Sequence, residues 1–100
     1  MKYSQHQKIL ARMCIEPSRW YLPMEFMQSG DLFVGYEASA RLSELRRECP
    51  QMLQVRKEGK YLATKLDMEN IANWWQMIPK DYRQVIYKYT GYTPYRIVED

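Results

Sequence analysis

The amino-acid sequence predicts a mainly α fold with one small β-hairpin, an α+β class. Two observations predict this class. Apolar side chains recur at helical spacing through most of the chain, and two strand-like segments flank a glycine between residues 52 and 66. A chain of 100 residues that is 46% hydrophobic and 27% charged has an ordinary globular composition. Its length suits a single core without an independent second domain.

Two helices and a short extended run are expected in the first third of the chain. Residues 4–15 have the spacing of an amphipathic helix and begin at a serine, a good capping residue. Residues 19–22 are aromatic and extended, but too few for more than an edge strand or a bridge. Residues 23–29 predict a short second helix, because proline opens them and Gly30 follows as the expected stop.

The most regular segment spans residues 36–48, the predicted third helix. At about 100° per residue, one stripe is apolar and the opposite side is mostly small or polar. The apolar stripe comprises Ala38, Leu42, Leu45 and Cys49, and the opposite side comprises Tyr36, Ala40, Ser43, Glu44 and Arg47. We expect the stripe to pack in the core and the opposite side to face outwards.

A β-hairpin is expected after this helix. Residues 52–57 and 60–66 are typical of strands, and they flank Glu58-Gly59, where glycine can take a positive φ. The hairpin is therefore expected to turn at these two residues, with a basic tip.

Residues 67–100 are rich in tryptophan and tyrosine and predict two more helices, 67–78 and 81–89, before an irregular tail. Asp67 is the expected N-cap of the first of them. Their apolar stripes contain Trp74, Trp75, Tyr82, Ile86 and Tyr89. Three interpretations stay open: packing onto the body of the domain, an interface for a second copy of the chain or another protein partner, or a base-stacking platform for RNA.

Positive charge is concentrated in the first two thirds of the chain. The net charge is +3, and residues 1–66 carry 11 lysines and arginines against 7 acidic residues. Seven of the basic residues lie between Arg41 and Lys65, against three acidic ones. Such a local excess is typical of a nucleic-acid-binding surface.

The sequence carries little equipment for catalysis or metal binding. His6 is the only histidine, and Cys14 and Cys49 lie on apolar helical stripes without C-x-x-C spacing. We expect no enzyme, no cofactor and no metal site, and we expect two buried, reduced thiols in a cytoplasmic protein. No export signal is visible, and no apolar segment approaches the roughly 20 residues that span a membrane.

The predicted order of helix, short strand, helix, helix and hairpin is that of the winged helix-turn-helix. Residues 33–47, FVGYEASARLSELRR, followed by residues 55–61, VRKEGKY, resemble the winged helix-turn-helix domains of small phage and prophage proteins. The resemblance covers residues 4–66. It implies double-stranded DNA binding, with the third helix in the major groove, and a transcriptional regulator of a phage or mobile element. Residues 67–100 have no counterpart in the motif.

The candidate DNA contacts lie on the third helix and at the hairpin tip. Small and polar side chains let a helix approach base edges, while arginine and lysine neutralise phosphates. The candidates are Tyr36, Ser39, Ala40, Arg41, Ser43, Arg46 and Arg47 on the helix, and Arg56, Lys57 and Lys60 on the hairpin. The alternatives are a solvated helix face and a charged hairpin that resists aggregation. A second hypothesis is a non-catalytic protein-interaction module on the same scaffold.

Overall fold

The structure, a computed structural model, describes residues 2–27 and 32–94. Four α-helices and two β-strands form the regular structure of these residues, joined by short 3₁₀ segments. The helices are α1 (Gln5–Ile15), α2 (Ala38–Glu48), α3 (Ile71–Trp74) and α4 (Lys80–Thr90), and the strands are β1 (Leu53–Glu58) and β2 (Tyr61–Leu66). The predicted class, mainly helical with one hairpin, is confirmed.

Helix α1 begins where the sequence predicts. The Ser4 hydroxyl accepts a hydrogen bond from the Gln7 backbone N–H at 3.1 Å, and the Gln7 side chain accepts one from the Ser4 N–H at 2.8 Å. This reciprocal pair satisfies two donors that a helix N-terminus leaves open. The buried side of the helix comprises Ile9, Leu10, Ala11, Met13 and Cys14.

The predicted second helix, residues 23–29, is wrong in the part that the structure describes. Pro23–Phe26 form a single 3₁₀ turn. A continuing α-helix would pair the Phe26 carbonyl with the N–H four residues later, but this carbonyl accepts from the Val34 N–H at 2.9 Å. The end of the predicted helix and its expected stop, Gly30, lie outside the described residues.

Helix α2 confirms the predicted third helix, apart from its first two residues, which lie in a 3₁₀ turn over Gly35–Glu37. Gly35 has φ +70°, a left-handed conformation that glycine adopts without steric cost. The predicted apolar stripe is buried, namely Ala38, Leu42, Leu45 and Cys49.

The hairpin turns one residue later than predicted. The last cross-strand pair is Glu58 with Tyr61, so the loop residues are Gly59 and Lys60 instead of Glu58 and Gly59. Gly59 has φ +62°, and no other residue type in the described ranges has a positive φ. The glycine therefore takes the first loop position, the order of a type II′ turn.

Tyr21 extends the hairpin on the free edge of β2. Its N–H donates to the Thr64 carbonyl at 2.8 Å, and the Thr64 N–H donates to the Tyr21 carbonyl at 2.9 Å. This isolated antiparallel bridge confirms the short extended element predicted over residues 19–22. The spatial order is Tyr21, β2, β1.

The predicted fourth helix, residues 67–78, is broken into three short pieces. They are a 3₁₀ turn over Met68–Asn70, then α3, then a 3₁₀ turn over Trp75–Met77. Asp67 stands at the N-cap position without a side-chain capping bond. The Ile71 N–H donates to the Met68 carbonyl, three residues back, and the Asp67 carbonyl accepts instead from the Trp74 indole Nε1–H at 2.9 Å. A tertiary contact of the indole therefore replaces the regular helical bond.

Helix α4, predicted over residues 81–89, lies against α1. One cluster of buried side chains joins α1, α2, the hairpin, α3 and α4. The described part of residues 67–100 thus shares its core with residues 1–66. In the ranges 2–27 and 32–94, no helix is long and apolar enough to cross a membrane.

Candidate nucleic-acid interface

The outward side of α2 is open along its length. Its exposed residues are Tyr36, Ser39, Ala40, Ser43 and Arg47. Tyr36, just before the helix, is 95% exposed, and Ser39, Ala40 and Ser43 between it and Arg47 are small. The Glu37 side chain is also exposed between Tyr36 and Arg47. The small side chains of Ser39, Ala40 and Ser43 would let this stretch of the helix approach the floor of a groove, with Tyr36 and Arg47 at its two ends.

Two arginines among the candidate DNA contacts, Arg41 and Arg46, are both engaged within the protein. Arg41 Nη2 donates to Glu44 Oε2 at 3.1 Å, and its Nη1 lies 3.5 Å from Gln5 Oε1. Arg46 Nη1 donates to Thr64 Oγ1 at 3.0 Å, and burial lowers the pKa of Arg46. Arg46 therefore ties α2 to β2.

The glutamates of α2 also have partners from other helices. Glu44 Oε1 lies 2.8 Å from His6 Nε2 on α1. Glu48 accepts from the Tyr82 hydroxyl of α4 at 2.9 Å, and burial together with this hydrogen bond raises the pKa of Tyr82. Among the arginines of α2, Arg47 is the exposed one.

The pairing register divides the hairpin into two faces. Directly opposed residues share a face, and the faces alternate along each strand. Leu53 is opposed to Leu66, and both belong to the core, so their side is the inner face. The inner face also has the pairs Val55 with Thr64 and Lys57 with Leu62, and the outer face has Gln54 with Lys65, Arg56 with Ala63, and Glu58 with Tyr61.

The three candidate cations of the hairpin tip are separated by this division. Lys57 lies on the inner face, where Arg46 of α2 reaches Thr64. Arg56 lies on the outer face, and Lys60 lies in the loop. Lys57 is therefore the one of the three that shares a side with α2.

Sequence reasoning missed the outer face as a surface of its own. The Arg56 guanidinium carbon lies 4.4 Å from the centre of the Trp20 ring, and Lys65 Nζ lies 5.1 Å from it. Lys60 Nζ lies 5.7 Å from the centre of the Tyr61 ring. Strand alternation in the sequence could have placed Arg56, Tyr61 and Lys65 on one face. The position of Trp20 could not be found in this way, because it follows from the bridge between Tyr21 and Thr64.

The two thiols are structural. Burial raises the pKa of Cys14 to about 12, and burial with the nearby carboxylates of Glu48 and Asp81 raises the pKa of Cys49 to about 11. Both cysteines are unpaired and hold their protons at neutral pH, which makes them poor nucleophiles and poor ligands. Within the described part of the chain, no group of three or more His, Cys, Asp or Glu side chains could hold a metal ion.

The C-terminal aromatic residues serve the core. Trp74, Trp75 and Tyr82 are buried, and Tyr89 is half-buried against the same cluster. Of these interpretations, the structure favours packing onto the body of the domain, because the rings of an interface anchor or of a stacking platform need to be accessible.

Comparisons with known proteins identify no relative. No family model matches the sequence, and searches of curated proteins and of solved structures return no match. The interpretation of function therefore depends on the residues and geometry described above.

Proposed function

We propose that the protein binds double-stranded DNA sequence-specifically through a winged helix-turn-helix and regulates transcription. The observation that carries the proposal is the outward side of α2, where small side chains lie between Tyr36 and Arg47. Helix α2 would be the recognition helix and the hairpin the wing. The phage or mobile-element setting follows only from the resemblance of residues 33–47 and 55–61. Such a regulator works in the cytoplasm, where thiols stay reduced.

The topology supports this proposal. A helix, an edge bridge, a short turn, α2 and the hairpin follow one another in the order of a winged helix-turn-helix. Tyr21 pairs with the second strand of the hairpin, so the short extended element belongs to the same sheet as the wing. The departure from the pattern is the second helix, which is one 3₁₀ turn over Pro23–Phe26 in the described residues.

The charges favour an interface with few phosphate contacts. Two arginines of α2 are engaged internally, so Arg47, Lys57 and Lys60 are left as the main cations on the side of α2 and in the loop. Each phosphate contact adds about 0.9 to the slope of log affinity against log salt. Three contacts give a slope of about 3, and binding to random DNA is then strong only at low salt.

The test is a titration of labelled duplexes at several salt concentrations, with random DNA and with a site selected from a random pool. Arg47→Ala should cost about 1–3 kcal/mol on the selected site and much less on random DNA, because a base contact discriminates between sequences. Lys57→Ala should weaken both about equally and lower the salt slope by about 0.9. Lys80→Ala, which removes an exposed cation of α4, is the matched control and should change neither.

The proposal fails if the wild-type protein binds no duplex at about 50 mM salt, where a few phosphate contacts suffice for association. The alternative would then be a non-catalytic protein-interaction module. The exposed apolar side chains of Tyr36, Val55 and Leu62 favour that alternative.

A further inference from the structure

The outer face of the hairpin carries aromatic rings and cations that the proposed duplex contact does not use. We name Trp20, Arg56, Tyr61 and Lys65 the outer-face cluster. Trp20 joins it because Tyr21 turns its side chain into the core, and neighbouring residues of an extended chain point to opposite sides. Both cations of the cluster lie over the Trp20 ring, with Arg56 at 4.4 Å and Lys65 at 5.1 Å from its centre.

The cluster is positively charged, with Arg56 and Tyr61 exposed and Trp20 and Lys65 half-buried. Tyr61 is 42% exposed, and the Arg56 side chain is exposed as well. Glu58 is the acidic residue of this face in the pairing register, and its carboxylate pairs with Arg56. Lys60 adds a further cation beside Tyr61, so positive charge extends from Lys65 to the loop.

Two further acidic residues lie at the Lys65 end of the cluster. Asp67 and Glu69 line a small depression together with Lys65 and Gln54. A polyanion is therefore favoured along the line from Lys65 through Tyr61 to Lys60, and disfavoured beyond Lys65.

We propose that the outer-face cluster binds single-stranded DNA. Bases would stack on the Tyr61 ring and on the guanidinium plane of Arg56, which Trp20 supports from below, while Lys60 and Lys65 neutralise phosphates. Alternation of aromatic rings with cations is the surface that unpaired strands recognise. This proposal does not depend on duplex binding by α2, because the outer face is directed away from the core and from the Arg46 contact with Thr64.

A duplex fits this cluster less well than a single strand. In a duplex the faces of the bases are covered by stacking on the neighbouring base pairs, so a duplex would meet the cations and leave the rings of Trp20 and Tyr61 unused. DNA is preferred over RNA in the proposal because a protein distinguishes RNA through its 2′-hydroxyl groups. Gln54, the neutral hydrogen-bonding side chain of the outer face in the pairing register, lines the depression with Asp67 and Glu69, so it lies at the acidic end and not along the line from Lys65 to Lys60 where a 2′-hydroxyl would be met.

The experiment is a titration of the full chain with labelled oligothymidine at low salt, followed by anisotropy and by tryptophan fluorescence. Trp74 and Trp75 are buried, so quenching on binding reports on Trp20. Tyr61→Leu should weaken binding about 5- to 150-fold, the range for the loss of one stacked base. Lys65→Gln should lower the salt slope by about 0.7, the value for one phosphate contact of a single strand.

Matched controls come from α4. Tyr87→Leu removes a tyrosine that is 55% exposed, and Lys80→Gln removes an exposed cation, and neither should change the affinity for oligothymidine. Trp20→Phe keeps a ring under Arg56 and should keep binding while the quenching disappears. Circular dichroism confirms that each variant is folded.

Several results would overturn the proposal. One is that the wild-type protein does not bind oligothymidine, and another is that the α4 controls lose as much affinity as Tyr61→Leu. The other two are that oligouridine binds more tightly than oligothymidine, and that polyglutamate displaces the labelled strand as effectively as unlabelled oligothymidine does. A larger loss with Arg47→Ala than with Tyr61→Leu would place the strand on α2 and would also overturn it. Tyr61→Leu should still bind duplex DNA with wild-type affinity. Failure of the single-strand proposal can therefore be distinguished from failure of the proposed duplex binding.

Discussion

Replacing Trp74 by alanine should remove much of the stability of the whole fold. The ring is 1% exposed and belongs to the cluster that joins all the helices, so its truncation should cost about 3–5 kcal/mol. The Asp67 carbonyl also loses the indole donor at 2.9 Å, which adds about 1 kcal/mol. A domain of this size has about 5–15 kcal/mol in total. We therefore expect Trp74→Ala to be largely unfolded or close to unfolding at 37 °C.

The assay is urea unfolding, followed by circular dichroism and by tryptophan fluorescence. Trp74→Phe keeps most of the apolar contact and should lose about 1–2 kcal/mol, because it lacks the indole donor. Met77→Ala, three residues later and 60% exposed, should change the unfolding free energy by less than about 0.5 kcal/mol. A loss below about 1 kcal/mol for Trp74→Ala would refute the packing argument. Separate transitions by the two probes would refute the shared core.

Three further predictions concern the turn, the link between α2 and β2, and the thiol of α1. Gly59→Ala should lower the unfolding free energy in urea by about 1–2 kcal/mol, because alanine is strained at φ +62°. A Cβ at this position would meet no atom within 4 Å, so no steric clash adds to that loss. Thr64→Val should cost about 1–3 kcal/mol by the same assay, since it removes the acceptor of Arg46 from a site with no exposed surface. Cys14 should not react with Ellman's reagent until the protein unfolds. Because burial raises its pKa from 9.0 to about 12, its contribution to stability is complete below pH 9 and is lost as the pH rises toward 12. Cys14→Ala should reduce the loss of stability at alkaline pH.

The elements that the sequence predicted well are those whose pattern lies within the element itself. Helix α2 has its apolar stripe every three or four residues, and α1 has both partners of its capping box within four residues. The two predicted helices that the structure alters, residues 23–29 and 67–78, depart because of hydrogen bonds that helical periodicity does not include. The Phe26 carbonyl accepts a hydrogen bond from the Val34 N–H. The Asp67 carbonyl accepts one from the Trp74 indole in place of the helical N–H of Ile71. No local periodicity contains either contact.

The candidate site also has a part that the sequence predicts and a part that it does not. The exposed side of α2 follows from helical geometry, and the two faces of the hairpin follow from strand alternation. The turn lies one residue later than predicted, which moves each cross-strand partner by two positions and so leaves both faces unchanged. The contact of Arg41 with Glu44 follows from helical spacing, because the two residues are three apart on the same helix. The contact of Arg46 with Thr64 could not be predicted, because Thr64 comes from another element.

Thr64 fixes the two candidate surfaces relative to each other. Its backbone exchanges both hydrogen bonds with Tyr21, which places Trp20 on the outer face, while its hydroxyl accepts from Arg46 of the helix that carries the other surface. The residues around Thr64 in the sequence do not predict that it bonds to both Tyr21 and Arg46. Because one residue bonds to both neighbours, α2 and the outer-face cluster cannot shift independently without breaking a buried hydrogen bond. A substitution on either surface that leaves Thr64 intact is therefore expected to affect that surface alone.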